Sequence, residues 1–417
     1  MITAAPKNNK SSAAIEAVKA RFVRVPSNTS SARFRDVVTG TAQSDACILQ
    51  DFYRRNGGKD KYDAAYLLGC LDWAYGEKFV PNGLAILDNG FINLWRAPEL
   101  QPTGARVTKE QVEPFVDFLR RWFPDDSERD YFGWWIAMSV RHQEQKIIAT
   151  PLLRSEHGVG KGFFAETLLP GLLGPTAAAL CHLKDVVGDF NETVEGKTLL
   201  VVDEVYRSKK STTDSLKSIQ ANATLTLRRK HLPVVVIDNY INFCITSNDH
   251  IPLVIESGDR RFWIPAFIRH RESKSETDRF LNDNFKPWLM NGGFQLVRDY
   301  LEQIDLSKYR ATGEAPMTDS KQDLLGFTTA DKLEDVLGNV IASNSVLTVQ
   351  MLKDSFSDSF EYGLTDVAVA NALLGIGCIS KRSNSQRYYI TPKGIQEGLT
   401  TKTPPKELDK LLPKVNF

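Results

Sequence analysis

Cysteine is scarce in this sequence, with five residues in 417 and no Cys-x-x-Cys pair. An odd, scattered set argues against a disulfide scaffold or a zinc ribbon and favours a reducing compartment. No apolar run approaches the roughly 18 residues of a membrane span, and residues 1–12 lack the apolar stretch of a secretory signal. With 42% hydrophobic and 25% charged residues, the composition is that of an intracellular globular protein rather than a fibrous or disordered one.

An excess of one charge is also missing, since 52 Lys and Arg residues face 51 Asp and Glu residues. The whole chain therefore has no general attraction to nucleic acid, and any basic surface must be local. At about 150 residues per domain, the length predicts two to four domains.

The pattern of apolar periods and turn signals divides the chain into successive parts. The core, residues 147–270, alternates short β-type runs with helices and loops, which predicts an α/β fold with a mainly parallel sheet. Its strands are expected at residues 147–153, 198–202, 234–237, 241–246 and 262–264. The other predicted parts are a flexible arm (1–33), a mixed, largely helical N-terminal region (34–146, with a hairpin at 84–95 and helices within 110–143), a helical lid or connection (271–330), a winged-helix-like domain (331–392) and a loose basic tail (393–417).

Residues 155–162 (SEHGVGKG) follow a predicted strand and precede a helical stretch, which is the context of a phosphate-binding loop. Glycines let consecutive backbone N–H groups face an anion, and Lys161 would neutralise the outer phosphates of ATP. The loop departs from the common pattern twice, with Ser155 at the first glycine and Gly162 at the Mg²⁺-binding hydroxyl. A plain glycine-rich turn is the alternative. The candidate nucleotide-binding residues are Ser155, Gly158, Val159, Gly160, Lys161, Gly162 and Phe163.

Two further apolar strands end in polar side chains. Residues 198–204 (TLLVVDE) end in Asp203, expected to hold Mg²⁺ through water, and Glu204, expected to orient and deprotonate the attacking water. Residues 241–248 (INFCITSN) end in Asn248, whose amide could bind that water or the γ-phosphate. Because ligands of parallel sheets bind at the carboxyl ends of strands, these side chains should share one crevice.

Two clusters of basic residues complete the candidate site. Arg260 and Arg261 precede the last predicted strand, where one of them could reach the nucleotide of a neighbouring subunit. Arg229, Lys230 and His231 lie between two β-type runs, like the charged tip of a hairpin that could bind DNA phosphates. A solvated, salt-bridged surface is the alternative for both clusters.

Taken together, these motifs resemble superfamily 3 helicases of the AAA+ class. The closest matches are VVDE at 201–204, ITSN at 245–248 and Lys230-His231. Flanking segments resemble the helicase portion of phage and plasmid primase–helicases and of the poxvirus primase-helicase: FINLW at 91–95, the Lys161-Gly162 variant, GDFN at 188–191, DRRF at 259–262 and PMT at 316–318.

The resemblance implies an ATP- and Mg²⁺-dependent replicative DNA helicase with an AAA+ core. It would form a homo-hexameric ring on single-stranded and forked DNA, in the cytoplasm of a microbial host, with a primase or polymerase as a candidate partner. ATP would lie between subunits, with Lys161, Asp203, Glu204 and Asn248 on one subunit and an arginine on the next. No primase site is evident before residue 85, so a helicase-only relative and a fragment of a longer polypeptide both stay open.

Two other functions fit parts of the pattern. A non-processive AAA+ replication initiator or loader would share the phosphate loop and use the winged-helix-like domain for recognition. A P-loop signalling NTPase or small-molecule kinase would share the loop but would have no use for the basic hairpin or an arginine acting on a neighbouring subunit.

Overall fold

The computed structural model describes residues 9–26, 34–58, 64–174, 177–203, 205, 210–250, 252, 253, 255, 258–322, 324, 337, 338, 340–356, 366–384 and 386–413. The strands are β1 (Phe22–Arg24), β2 (Phe34–Asp36), β3 (Ala42–Gln43), β4 (Glu77–Lys78), β5 (Ile92–Asn93), β6 (Thr150–Arg154), β7 (Ala178–His182), β8 (Leu199–Asp203), β9 (Thr224–Leu227), β10 (Val235–Asp238), β11 (Asn242–Ser247), β12 (Phe262–Trp263), β13 (Val346–Thr348), β14 (Ile379–Arg382) and β15 (Arg387–Ile390). Within this described part, no helix is long and apolar enough to cross a membrane.

The helices, in chain order, are α1 (Asn9–Lys19), α2 (Asp45–Asn56), α3 (Ala64–Gly69), α4 (Glu113–Trp122), α5 (Asp126–Arg141), α6 (161–173, π-helical at Phe164–Leu168), α7 (Leu183–Val187), α8 (Lys210–Ala221), α9 (274–288, π-helical at Phe280–Phe285), α10 (Phe294–Glu302), α11 (Val349–Phe356), α12 (Asp366–Gly375), α13 (Pro392–Gln396) and α14 (Pro405–Lys410). Asp125 begins α5 by accepting the backbone N–H groups of Ser127 and Glu128, as expected of an N-cap aspartate.

A five-stranded sheet in the order β12-β6-β11-β8-β7 forms the centre of the molecule, and all its neighbouring strands are parallel. Alternate residues of its strands enter different apolar cores: Leu153 and Val201 pack with α4, α5 and α6, whereas Leu152 and Val202 pack with α7, α8 and β9. Burial on both faces explains why the strands read as continuous apolar runs. The predicted α/β class with a mainly parallel sheet is confirmed, while its AAA+ assignment stays a prediction.

Two details of this sheet differ from the sequence-based expectation. The strand β7 was not predicted; it is short and alanine-rich, with weak β propensity. Pro151 lies inside β6, yet the pairing of β6 with β11 begins only at Leu152. The missing N–H of the proline is therefore not needed by that ladder.

Residues 1–33 were predicted to form a flexible arm, but the structure shows α1 and β1 within the described residues 9–26. Within 1–33, α1 packs Ala14 and Val18 against α2, and β1 pairs with β2. The small apolar face of α1 is hidden in a polar composition, which is why composition alone suggested an arm. At the predicted hairpin 84–95, Gly90 adopts a positive φ of 76°, Leu87 N–H donates to the Phe91 carbonyl at 2.9 Å, and Ile86 pairs with Ile92 in an antiparallel bridge. In addition, β5 pairs in parallel with β4.

The C-terminal region contains α11, α12 and a three-stranded antiparallel sheet in the order β13-β15-β14. A winged helix would begin with a helix at residues 333–342, and half of these residues lie outside the described ones, so the winged-helix assignment stays a prediction. Residues 393–417 were predicted to form a loose tail, but most of α13 and all of α14 lie within 393–413. Leu408 of α14 is fully buried in a cluster with Val346 and Tyr388. Few apolar residues anchor this segment, so its sequence resembles a linker.

Asn93 of β5 is fully buried and binds the backbone of Val80 twice, accepting its N–H at 2.9 Å and donating to its carbonyl at 2.8 Å. We expect Asn93→Ala to lower the free energy of unfolding by about 2–4 kcal/mol, because both backbone groups lose their partner in a buried place. Chemical denaturation measures this change.

The matched control is Asn284→Ala, at an exposed helical position, which should change the free energy of unfolding by less than about 0.5 kcal/mol. Equal changes for the two variants would contradict this role of Asn93.

Candidate nucleotide site and basic hairpin

The phosphate loop joins β6 to α6 and has the backbone that such a loop requires. Gly158 and Gly160 have positive φ values of 83° and 103°, and Gly160 is the residue before the first turn of α6. Positive φ is costly for residues other than glycine. The loop is held from below by Trp122, whose indole N–H donates to the Val159 carbonyl at 2.8 Å in a buried place.

Ser155 connects the loop to the neighbouring strand and to the lysine. Its N–H donates to the Ser247 carbonyl at 2.9 Å, and its carbonyl accepts the side-chain amide of Asn248 at 2.9 Å. Its hydroxyl accepts the Lys161 ammonium at 2.9 Å and donates to the Glu156 carbonyl at 2.9 Å. The serine found at the usual glycine position thus holds Lys161, and the structure brings Ser155, Lys161 and Asn248 together. Their role in nucleotide binding stays a prediction.

Asp203 ends β8, on the other side of β11 from the loop. It accepts a hydrogen bond from the Thr246 hydroxyl of β11, and Thr246 is fully buried. The adjacent strand order β6-β11-β8 places Ser155 and Asp203 two strands apart, about 10 Å. The second predicted carboxylate, Glu204, lies outside the described residues.

The donor set on this edge fits a Mg²⁺ ion carried mainly by phosphate and water. Asp203 offers a carboxylate, and Gly162 offers no side-chain oxygen. Among the residues that the structure describes, no group of three or more His, Cys, Asp and Glu side chains is placed to hold a metal ion. Mg²⁺ in nucleotide sites needs only one or two protein carboxylates, with the rest of its shell from phosphates and water.

Residues near α9 also hold the loop, and the sequence did not indicate them. His270 donates its N–H to the Glu156 carboxylate at 3.0 Å, and its ring lies between the His157 carbonyl at 3.0 Å and the Thr277 hydroxyl at 2.8 Å. The Lys274 side chain passes the loop closely, since a Cβ on Gly158 would lie 2.8 Å from its Cε. The contacts of His270 and Lys274 with residues 156–158 join segments more than 100 residues apart, so no local sequence pattern predicts them.

Arg260 and Arg261 lie at the amino ends of β12 and β6, whereas the phosphate loop lies at the carboxyl end of β6. Phe262 of β12 pairs with Thr150, the first residue of β6, whereas the loop follows its last residue, Arg154. Four residues of strand separate the two edges by about 13 Å. The Arg260 side chain is 63% exposed and lies 3.8 Å from Glu314. The structure therefore does not bring the arginines to the Lys161 site of the same chain.

The basic hairpin is built from β9 and β10, which pair antiparallel and leave residues 228–234 as its tip. Lys230 and His231 are exposed, and His231 has a positive φ of 62°. Arg229 is only 27% exposed and forms an ion pair with Glu195 at 3.2 Å. Of the three residues predicted to bind DNA, two are thus presented to solvent, and one is engaged with a carboxylate.

Asn191 fixes the base of this hairpin. Its side chain accepts the Arg228 N–H at 2.8 Å and donates to the Thr226 carbonyl at 3.0 Å, and its own N–H donates to the Arg228 carbonyl at 3.1 Å. The GDFN segment at 188–191 thus positions the tip, a role that the sequence did not reveal.

One protein family and one phage protein match this chain in sequence. A family of unknown function, DUF5906, matches residues 153–261, from the end of β6 to the arginine pair. A DNA primase-polymerase of Nitratiruptor phage NrS-1 is 25% identical over 296 residues, which are 67% of this chain and 40% of that protein. The chain thus spans about two fifths of the length of this curated relative.

Two solved structures of the C-terminal region of NrS-1 have the same fold. One covers 92% of this chain and 100% of its own with a TM-score of 0.59, and the other covers 86% and 93% with a TM-score of 0.56. Sequence identity is 16% in both, so these structures show a likeness of fold. That fold is consistent with a P-loop-like α/β core.

A pair of glycine variants tests the loop. We expect Gly160→Ala to weaken binding of a fluorescent ATP analogue by about tenfold or more, because alanine is strained by about 1–3 kcal/mol at positive φ and its Cβ would lie 3.1 Å from Leu281 Cδ1. Gly57→Ala is the control, since Gly57 also has a positive φ (78°) but caps the end of α2, outside the loop, with no atom within 4 Å of its Cβ. Similar losses for both variants, measured by fluorescence anisotropy, would contradict the assignment.

Proposed function

We propose that this chain is an ATP-dependent replicative DNA helicase of the superfamily 3 AAA+ type, acting as a homo-hexameric ring on single-stranded DNA. The observation that carries the proposal is the convergence of Lys161, Asn248 and Ser155, with Asp203 two strands away, in a chain that also presents a basic hairpin. The phage primase-polymerase relative and the shared fold with the C-terminal region of NrS-1 support it.

In this proposal the phosphates of ATP bind the N–H groups of the loop at the start of α6, where the helix end is partially positive. Lys161 exchanges the Ser155 hydroxyl for the β- and γ-phosphates, an interaction between opposite charges that is stronger than its present one. Mg²⁺, held by Asp203 through water, would neutralise charge on the phosphates. Asn248 stays near the γ-phosphate through its bond to Ser155, and Glu204 orients the attacking water.

The arginine pair serves a neighbouring subunit. Arg260 and Arg261 lie about 13 Å along the sheet from the loop of their own chain, and the Arg260 side chain is exposed. An arginine supplied from a neighbouring protein stabilises the charge that develops during phosphoryl transfer. A ring in which each subunit completes the next site accounts for this placement.

The exposed hairpin tip is the proposed DNA contact. Lys230 and His231 project from a two-stranded ladder whose base is fixed by Asn191. Several copies of one basic tip around a ring concentrate positive charge without requiring a basic chain, which reconciles DNA binding with the net charge of +1. A primase or polymerase partner is proposed from the relative alone.

The direct test is ATP hydrolysis with and without single-stranded DNA. We expect DNA to stimulate turnover of the natural protein and Lys161→Ala to abolish turnover under both conditions. Lys230→Ala should keep the basal rate and lose the stimulation, because its change lies at the tip and far from the loop. Lys406→Ala, at an exposed lysine of α14, is the matched control and should retain the stimulation.

The alternatives give different results in the same assay. Turnover that DNA does not change in the natural protein would favour a signalling NTPase or small-molecule kinase over a DNA motor. No turnover under any condition would exclude the proposed helicase. DNA-stimulated turnover without strand separation would favour the initiator or loader.

A further inference from the structure

Asp259, the residue before the arginine pair, is buried at the meeting point of three segments. Its side chain is 3% exposed, and it forms an ion pair with Lys217 at 2.6 Å. It also accepts the backbone N–H groups of Arg261 at 2.9 Å and Phe262 at 3.3 Å. The carboxylate thus fixes the backbone that carries the arginines.

Lys217 reaches Asp259 from α8, the helix that follows the acidic strand β8 in the chain. Its side chain is only 11% exposed, and Leu216 beside it is part of the core under the sheet. The same helix holds the start of β6, because Gln220 donates to the Ile148 carbonyl at 3.2 Å. Lys217 therefore connects α8 directly to the arginine segment.

Lys321 supplies a second buried cation from the other side. It is 1% exposed. Burial lowers the pKa of its ammonium group and repulsion from Lys217 lowers it further, whereas attraction to Asp259 and Glu314 raises it. Its N–H donates to the Thr318 hydroxyl at 3.1 Å, and Thr318 in turn donates to the Ile264 carbonyl of the arginine segment. The PMT segment at 316–318, which the nucleotide site does not use, therefore places Lys321.

Burial of charges is costly unless each is paired, and breaking a buried pair costs more than an exposed one. Burial alone would raise the pKa of Asp259, but the hydrogen bonds from Lys217 and from the Arg261 N–H hold it below the usual value. The carboxylate is thus kept ionised and bound, with its two oxygens shared between Lys217 and the arginine backbone.

We propose that Lys217 is a positioning residue that acts through Asp259 on the arginine that the same subunit gives to its neighbour. This inference rests on the proposed function, because it assumes an arginine acting between subunits. It adds that α8 sets the position of that arginine through the ion pair of Lys217 with Asp259.

The test uses variants of the whole chain. Lys217→Met keeps the length of the side chain and removes its charge, and Asp259→Asn keeps an oxygen for the backbone N–H groups and removes the partner charge. We expect each to lower ATP turnover by about 100-fold, the scale of a small displacement of a catalytic group. Binding of a fluorescent ATP analogue should be unchanged, because the phosphate loop of each variant is intact. Lys217→Arg should restore turnover.

Complementation separates positioning from a merely structural role. A Lys161→Ala subunit has a dead nucleotide site but intact arginines, whereas a Lys217→Met subunit has the reverse. Co-expressed in equal amounts, they should recover about a quarter of the natural turnover, since one interface in four pairs an intact site with an intact arginine. Lys217→Met co-expressed with a double Arg260→Ala, Arg261→Ala variant should recover nothing.

The inference is overturned if Lys217→Met and Asp259→Asn turn over ATP at the natural rate. It is also overturned if their co-expression with Lys161→Ala gives no more than the mean of the two separate variants. Absence of turnover in the natural protein would instead remove the proposed function itself, so the two failures are distinguishable.

Discussion

The three polar groups of Ser155 bind the end of β11 and Lys161, and the candidate site depends on these bonds. Its N–H and carbonyl fix the end of β6 to Ser247 and Asn248 at the end of β11, while its hydroxyl holds Lys161. This arrangement is possible only because β6 and β11 are parallel neighbours, so their carboxyl ends meet at one edge. The phosphate loop, the amide and the lysine are thus set in place before any ligand binds, which lowers the cost of ordering them.

The amino ends of β12 and β6, opposite the phosphate loop, carry the arginine pair. There Asp259, Lys217 and Lys321 fix the backbone of the arginine pair, which faces away from the loop of its own chain. A sheet with a nucleotide-binding edge and an arginine edge suits a subunit that contributes to two adjoining sites. Lys217 of α8 binds Asp259, and the basic hairpin begins at Thr224, shortly after α8 ends. The proposed nucleotide, arginine and DNA contacts are fixed by three separate sets of polar bonds, those of Ser155, Asp259 and Asn191.

The sequence predicted the features that depend on local patterns. Apolar runs predicted β8 and β11 to within a residue or two at each end, and the glycines predicted the loop before α6. It could not predict bonds between distant segments: Asn191 with the hairpin, His270 with the phosphate loop, and Asp259 with Lys217. The strand β7 was missed because its alanine-rich sequence has weak β propensity. The helix α14 was missed because it has few apolar residues, and its burial comes from tertiary contacts.

Strand separation is the most direct test of the proposed helicase activity. A forked DNA duplex with a fluorophore and a quencher on its two strands is mixed with the protein and ATP, and separation is read as fluorescence. A helicase of the proposed kind should separate the strands with ATP and Mg²⁺, and should not separate them with a non-hydrolysable ATP analogue or as the Lys161→Ala variant. Separation that proceeds equally with the analogue, or none at all from a protein that hydrolyses ATP on DNA, would contradict it.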